Sequence, residues 1–334
     1  MPTVVSLARC DDYEPGPVGA ALRSALEPLG GIEQFVRPGQ RVLLKPNFIM
    51  ARRAEEAATT HPLFIVEAAR LVRGAGGEPA VGDSPALGSA RRVASRSGLF
   101  SLVREADLSV VEFRKTRRVP SPRAAAGRPL RLATDALDAD VVINLPKLKA
   151  HGQIFLTLAV KNLFGCVRGR RKALLHQQLG GRPIEFARML VNVLQVVRPA
   201  LTLMDGIVAL ERTGPRGGDL RRLGLVVAGT DCVAIDRVVC EVLGADPERL
   251  LTLRAAREAG AGETDLDRIQ VIANSRTVAP PLSAVVPSLA ARPFALPQQL
   301  SPLSFSPYRI LRGWIRQAWA LFGPKKENTG DHAR

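Results

Sequence analysis

Over residues 1–275, apolar runs of strand length alternate with amphipathic stretches of helix length, and four of the runs end in a short cluster of Lys, Asn or Asp. The strand-like runs cover residues 4–8, 41–44, 79–82, 108–113, 140–143, 201–204, 223–228 and 269–272. Helical spacing of apolar residues covers 63–73, 185–197, 232–243 and 249–259. Such alternation predicts a layered α/β fold, a mostly parallel or mixed sheet with helices on both faces, because each helix must bury its apolar stripe against a sheet. His61-Pro62 puts a proline in the first turn of one helix, and Gly74 closes it. Strand order does not follow from the sequence.

The polar clusters share a chemistry. Val42-Leu43-Leu44 runs into Lys45-Pro46-Asn47, and Val141-Val142-Ile143 runs into Asn144, Pro146, Lys147, Lys149 and His151. Two further runs end in an acid, Asp83 followed by Ser84-Pro85 and Asp205 followed by Gly206. Proline halts a ladder because it has no N–H, and open α/β sheets bind ligands beyond the carboxyl ends of their strands. Lysine is also scarce: it supplies eight of 47 basic residues, and five of the eight are Lys45, Lys147, Lys149, Lys161 and Lys172. They travel with His61, His151, His176, Asp83, Asp205 and Asp231. Each motif alone is ordinary turn chemistry; together, at one sheet edge, they predict one polar site.

Within it, His151, Lys149, Lys147 and Asp205 form the expected catalytic group. Lys45, Asn47, His61, Asp83, Ser84, Lys161, Asn162 and Lys172 are the expected substrate-binding residues. Thr60 or His61 caps the helix that follows, whose N-terminus attracts anions. The basic stretch from Lys161 to His176, with Gly165 and Gly169, reads as a loop closing over an anionic ligand. Gly214 and Gly217 offer backbone N–H groups to an anion, a turn between strands being the simpler reading. Arg91-Arg92 and residues 114–118 read as solvated surface. A divalent metal held by His61, His151 and His176 is an alternative use of the histidines, although no local His pair of metal-site spacing occurs.

Composition narrows the partners. The net charge of +16 favours anions, although a G- and C-rich genome would produce the same arginine bias. Aromatics are 4% and not interleaved with the basic runs, so stacking platforms for nucleic acid are missing. Cys10, Cys166, Cys232 and Cys240 form no C-x-x-C, which leaves neither a zinc ribbon nor a self-contained iron–sulfur motif. That usage fits a reducing cytosol. No secretory signal or run of membrane-spanning length is expected. From residue 276 to 307 prolines suggest a semi-extended linker. Residues 308–323 then make a basic amphipathic helix, with Trp314 and Trp319 on one face and Arg309, Arg312 and Arg316 on the other. It suits an anionic membrane surface or docking on its own domain. Residues 324–334 read as a disordered tail.

The ordered set of motifs resembles the domain of unknown function family 362. The pattern is carried by Lys45 to Asn47, Thr60 to Pro62, Gly82 to Ser84, Lys149 to Gly152, Lys161 to Gly165, Asp205-Gly206 and Gly214 to Gly217. The resemblance runs over about residues 3–273. Many proteins of that family carry a ferredoxin module and are described as iron–sulfur proteins. This chain lacks such cysteine clusters, so the resemblance implies redox work only with a separate electron-transfer partner. The leading expectation is an enzyme that binds an anionic small molecule at the carboxyl edge of the sheet and uses Lys/His acid–base or Lys-anchored chemistry. It would be cytoplasmic and peripheral on the inner face of a membrane. The alternative is an accessory redox protein working with an iron–sulfur or metal-bearing partner.

Overall fold

The computed structural model of the chain describes residues 2–301, apart from 87, 104–105, 121–129, 180 and 215–217 and the side chain of residue 170. Its strands, in chain order, are β1 (Thr3–Arg9), β2 (Arg41–Pro46), β3 (Glu78–Asp83), β4 (Ser109–Glu112), β5 (Thr116–Val119), β6 (Leu130–Ala133), β7 (Val141–Leu145), β8 (Lys147–His151), β9 (Phe155–Thr157), β10 (Leu201–Glu211), β11 (Asp219–Gly229), β12 (Ile269–Ala273) and β13 (Arg276–Thr277). The main sheet runs β13-β12-β1-β11-β10-β7-β2-β3-β4, while β5 and β6 pair separately. Strands β10, β7, β2, β3 and β4 are mutually parallel; β11 runs antiparallel to both β10 and β1.

This order fixes where a ligand belongs. From β2 the chain steps outward through β3 to β4, then returns to β7 on the other side of β2 and steps out again to β10. The carboxyl ends of β2 and β7 therefore flank the topological switch point, where open α/β sheets bind ligands. Lys45-Pro46-Asn47 and Asn144 to Lys147 lie there.

Both faces of the sheet are buried, as the near-continuous apolar strands require. Leu43, Val142, Met204 and Val227 point into the core under the helices Pro183–Val197, Cys232–Leu243 and Leu251–Ala259. Their neighbours Val42, Leu44, Ile143, Leu203 and Val226 point into a second core under Pro15–Leu26, Pro62–Gly74 and Ala90–Ser97. Each fully buried Leu, Ile or Phe contributes about 1.5–3 kcal/mol, enough to fix the register and hence which residues reach the edge.

Three expectations are corrected. Asp205-Gly206 does not end its strand; β10 continues to Glu211. Pro146 stops β7, and the chain resumes as β8 beside the far half of β10, with Lys147 opposite Asp205. Paired there, the buried carboxylate needs no turn. The proline-rich stretch is not a free linker as far as residue 301: Leu282, Val286, Leu289 and Phe294 are buried in the first core. The buried Glu211 accepts the Ala295 N–H at 3.0 Å and pairs with Arg292. Prolines restrict the backbone but leave the apolar residues between them free to pack. Thirdly, the helix expected from residue 249 starts at Leu251, after a short turn over Pro247–Arg249. The expected helix 308–323 and tail 324–334 lie outside the described residues, as does Gly217. Among the described residues no helix is long and apolar enough to cross a membrane.

Candidate functional site

Two buried ion pairs anchor the carboxyl edge. Lys45 Nζ, at the end of β2, lies 3.1 Å from Asp83 Oδ1 at the end of β3. Asp83 also accepts the N–H groups of Phe48 and Ser84, each at 2.8 Å. Lys147 Nζ lies 2.8 Å from Asp205 Oδ2. Asp205 further accepts the Tyr13 hydroxyl at 2.6 Å and the His61 N–H at 3.0 Å. The Tyr13 hydroxyl in turn accepts from Lys147 and from the Val208 N–H. Burial, reinforced by Asp205, pushes Tyr13 well above the ordinary phenol range, so it stays protonated. His61 stacks on the Tyr13 ring with centroids 3.7 Å apart. Its Nδ1 accepts the Leu63 N–H, which makes His61 the cap of the helix Pro62–Gly74. Burial lowers it to about 4, so the ring is neutral. Thr60 is used otherwise: its hydroxyl donates to the Leu145 carbonyl and accepts the Asn47 N–H, tying β2 to β7.

Among the described residues Lys149 pairs with no carboxylate. Its Nζ donates to Asn47 Oδ1 at 2.7 Å and to the Ala58 carbonyl at 2.5 Å. Behind Asn47 runs a line of carboxamides. Asn47 Nδ2 donates to Asn162 Oδ1, and Asn162 Nδ2 donates to Asn144 Oδ1, both at 2.9 Å; Asn144 Nδ2 donates to the Ala159 carbonyl at 3.1 Å. The line is oriented, so an oxygen faces Lys149. Burial, then the charges of Lys161 and Lys147, hold Lys149 well below the ordinary lysine range.

Lys161, on the short helix Ala159–Asn162, is the least satisfied member. Among the described residues its ammonium meets no hydrogen-bond acceptor; it lies 4.7 Å from the Phe164 ring centroid and 5.8 Å from that of Phe186. Desolvation, helped by Lys172 and Lys45, brings it to about 7. Lys172 donates to the Ser84 carbonyl, and burial brings it to about 8. His151 Nδ1 accepts the Gln153 N–H at 3.1 Å, which puts the proton of its neutral ring on Nε2. Burial, then Lys161 and Lys149, hold His151 well below its usual value. The His176 ring packs 4.5 Å from Phe186 and 5.6 Å from Phe164. Hydrogen bonds through Asn162 and Asn47 run from Lys45, the partner of Asp83, to Thr60, the neighbour of His61, whose N–H binds Asp205; His151 feels the charges of Lys161 and Lys149.

Other expected members do different work. Gly165 brings its backbone against the ion pair, where a Cβ would overlap the Asp83 carboxylate and the Lys45 ammonium. Gly214 accepts the Gly152 N–H at 2.8 Å through its carbonyl, and a Cβ there would overlap the Ala150 carbonyl. It is a close-packing glycine whose carbonyl is engaged. Asp231 caps the helix Cys232–Leu243 through the Val233 and Ala234 N–H groups. The three histidines do not converge: His61 sits with Tyr13, whereas His151 and His176 sit among lysines that repel a cation. No group of three His, Cys, Asp or Glu side chains among the described residues is arranged to hold a metal. Nor do the cysteines fit an iron–sulfur cluster. All four are buried free thiols, and burial raises Cys10 and Cys166 to about 11 and Cys232 to about 12.

Tyr13 and the buried Asp236 were not anticipated. Asp236 accepts the Ala159 and Val160 N–H groups at 2.7 and 3.2 Å and so positions the turn that carries Lys161. Arg91 and Arg114, expected as plain surface, line a cleft of about 850 Å³ together with Asp83, Ser84, Arg168 and Arg171.

A family model described as Domain of unknown function (DUF362) matches residues 42–241. The chain belongs to this family. The matched span contains every lysine, histidine and aspartate of the cluster, while Tyr13 lies outside it. The thylakoid-associated protein sll1697 of Synechocystis sp. is 41% identical over 318 residues, 95% of each chain. A solved structure of the lactate racemase apoprotein from Thermoanaerobacterium thermosaccharolyticum aligns with a TM-score of 0.46 and 13% identity, over 72% of this chain and 57% of that one.

Proposed function

We propose that this member of the family is an enzyme acting on an anionic small molecule at the switch point of the sheet. In this reading Lys161 acts as an amine base or nucleophile, His151 donates a proton from Nε2, and Lys149 and Lys172 hold negative charge. The observation that carries the reading is a charge imbalance. Five lysines share the cluster with two carboxylates, Asp83 and Asp205, and each carboxylate is paired with one lysine. Among the described residues the other three amines have no carboxylate at ion-pair distance. Lys149 and Lys172 are buried and Lys161 is half-buried; an unpaired buried charge costs several kcal/mol, which an anionic guest or loss of the proton relieves. Two buried hydroxyls beside Lys149 also have no hydrogen-bond partner among the described residues: Thr59, which follows Ala58, and Thr157, opposite Lys149 in the β8–β9 ladder. Unmade hydrogen bonds of this kind suit a polar guest.

The pH dependence of stability tests this. Lys161 and Lys172 titrate at about 7 and about 8 in the fold against 10.5 in the unfolded chain. Above those values the unfolded chain binds more protons, so stability rises with pH. Asp236, raised by burial from 3.8 to about 8, acts in the opposite sense, but only below pH 8. The buried thiols of Cys10, Cys166, Cys232 and Cys240, all raised from 9.0 by burial, begin to oppose the rise as pH approaches 9. Between pH 8 and 9 the unfolding free energy, and with it the denaturation midpoint, should therefore increase, the free energy by at most about 1.4 kcal/mol per pH unit for each proton fully released. A saturating carboxylate or phosphate at constant ionic strength should flatten that rise by keeping the amines protonated. A midpoint that falls between pH 8 and 9 without anion counts against the reading.

We also infer a peripheral place at a membrane surface. The net charge of +16, the basic amphipathic pattern of residues 308–323 and the thylakoid-associated relative support it. The full chain should pellet with anionic vesicles and stay in solution with neutral ones, and deletion of residues 308–334 should release it. Equal pelleting of the truncated chain would reject a role for that segment.

A further inference from the structure

We infer that the cleft at the carboxyl ends of β3 and β4 binds a phosphoryl-bearing small molecule carrying at least two negative charges. The inference deepens the anion reading above and rests on it for the link to chemistry, although not for binding itself. Arg91, Arg114, Arg168 and Arg171 surround a space of about 850 Å³, within the size range of small-molecule sites. Among the described residues none of these four guanidinium groups has an ion pair or a hydrogen-bond acceptor. Elsewhere on the surface Arg41, Arg73, Arg117 and Arg188 each pair with an acid.

The acids in the cleft are already engaged. Asp83 is paired with Lys45. The two oxygens of Glu112 accept the N–H groups of Ala90 and Arg91 at 3.2 and 2.8 Å. That cap also fills the N-terminus of the helix Ala90–Ser97, so the arginines, rather than a helix end, remain to receive an anion. A guanidinium fork matches the spacing of phosphate or carboxylate oxygens. One carboxylate, with two oxygens and one charge, is satisfied by one or two forks. Four forks call for the larger oxygen set and higher charge of a phosphoryl or diphosphoryl group. Phe113 and Pro85 give the cleft an apolar wall for the body of such a ligand.

The cleft also meets the reactive cluster. Ser84 lines it, while the Ser84 carbonyl accepts from Lys172 and its hydroxyl accepts the Gly169 N–H at 2.8 Å. A phosphoryl handle held by the arginines would thus place the rest of the molecule beside the lysines, where remote binding energy can be spent on positioning.

Titration calorimetry on the full chain with inorganic pyrophosphate as probe tests the assignment. The wild type should bind pyrophosphate, and Arg114→Gln/Arg168→Gln should weaken binding at least about tenfold, which is about 1.4 kcal/mol. Both positions are exposed, so the fold should persist. The corresponding double lysine variant, which keeps the charge and loses the fork, should fall between the two. Arg114→Gln/Arg168→Gln should keep the wild type's rise in stability between pH 8 and 9, so a failed pH test of the lysine cluster would leave this assignment standing. Equal affinity in the wild type and the double glutamine variant would overturn it. So would succinate binding as tightly as pyrophosphate with the same arginine dependence.

Discussion

Asp205→Ala should lower the unfolding free energy by about 3–5 kcal/mol, the loss expected when one partner of a buried ion pair is removed. Out of a total of about 5–15 kcal/mol for an ordinary domain, that is enough to leave much of the protein unfolded in mild denaturant. The size follows from how much Asp205 satisfies. Its carboxylate is fully buried, lies 2.8 Å from Lys147 Nζ, accepts the Tyr13 hydroxyl at 2.6 Å and holds the His61 N–H at 3.0 Å. Without it Lys147 faces Tyr13 alone, and the cap of the helix Pro62–Gly74 loses its tether to β10. The double variant Asp205→Ala/Lys147→Met should recover a large part of the loss, since it leaves no ammonium stranded. Chemical denaturation of the three proteins measures both quantities. A single variant within about 1 kcal/mol of the wild type would mean that the pair is not the anchor argued here.

Lys161→Met should do the opposite to stability and still reduce the effect of anions on its pH dependence. Among the described residues the wild-type amine meets no acceptor, and it sits against Phe164 and Phe186. Methionine has a similar length, needs no counter-charge and makes favourable sulfur contacts with rings. A gain on the order of 1 kcal/mol at neutral pH is expected. Part of the rise in stability between pH 8 and 9 should vanish with it, because one of the displaced titrations is gone. A residue kept for packing would destabilise the fold when replaced. A gain in stability paired with a reduced anion response is the mark of a group retained for chemistry.

The sequence made the edge legible because strands deliver their last residues to one rim. Lys45, Asn47, Asp83 and Lys147 could be assigned to it from the apolar runs before them and the prolines beside them. Which lysine pairs with which acid was not legible. That depends on Lys147 falling opposite Asp205 in the β8–β10 register, and Asp205-Gly206 resembled a turn. Tyr13 carried no local signal: its partner lies 192 residues away, in no shared motif. Arg91 and Arg114 resembled ordinary surface charge, and only the placement of Arg168 and Arg171 across the same cleft sets them apart. In the proline-rich stretch proline content hides the role of Leu282, Val286, Leu289 and Phe294, whose burial fastens it to the domain.

Lysine-selective isotope labelling, with each Nζ or Cε resonance followed by NMR from pH 5 to 11, asks most directly whether the buried amines lack counter-charge. One lysine should titrate near 7, vanish from the spectrum of Lys161→Met, and move upward when a saturating anion is added. If every lysine instead titrates above 10, the amines are fully compensated as they stand, and the cluster is scaffolding.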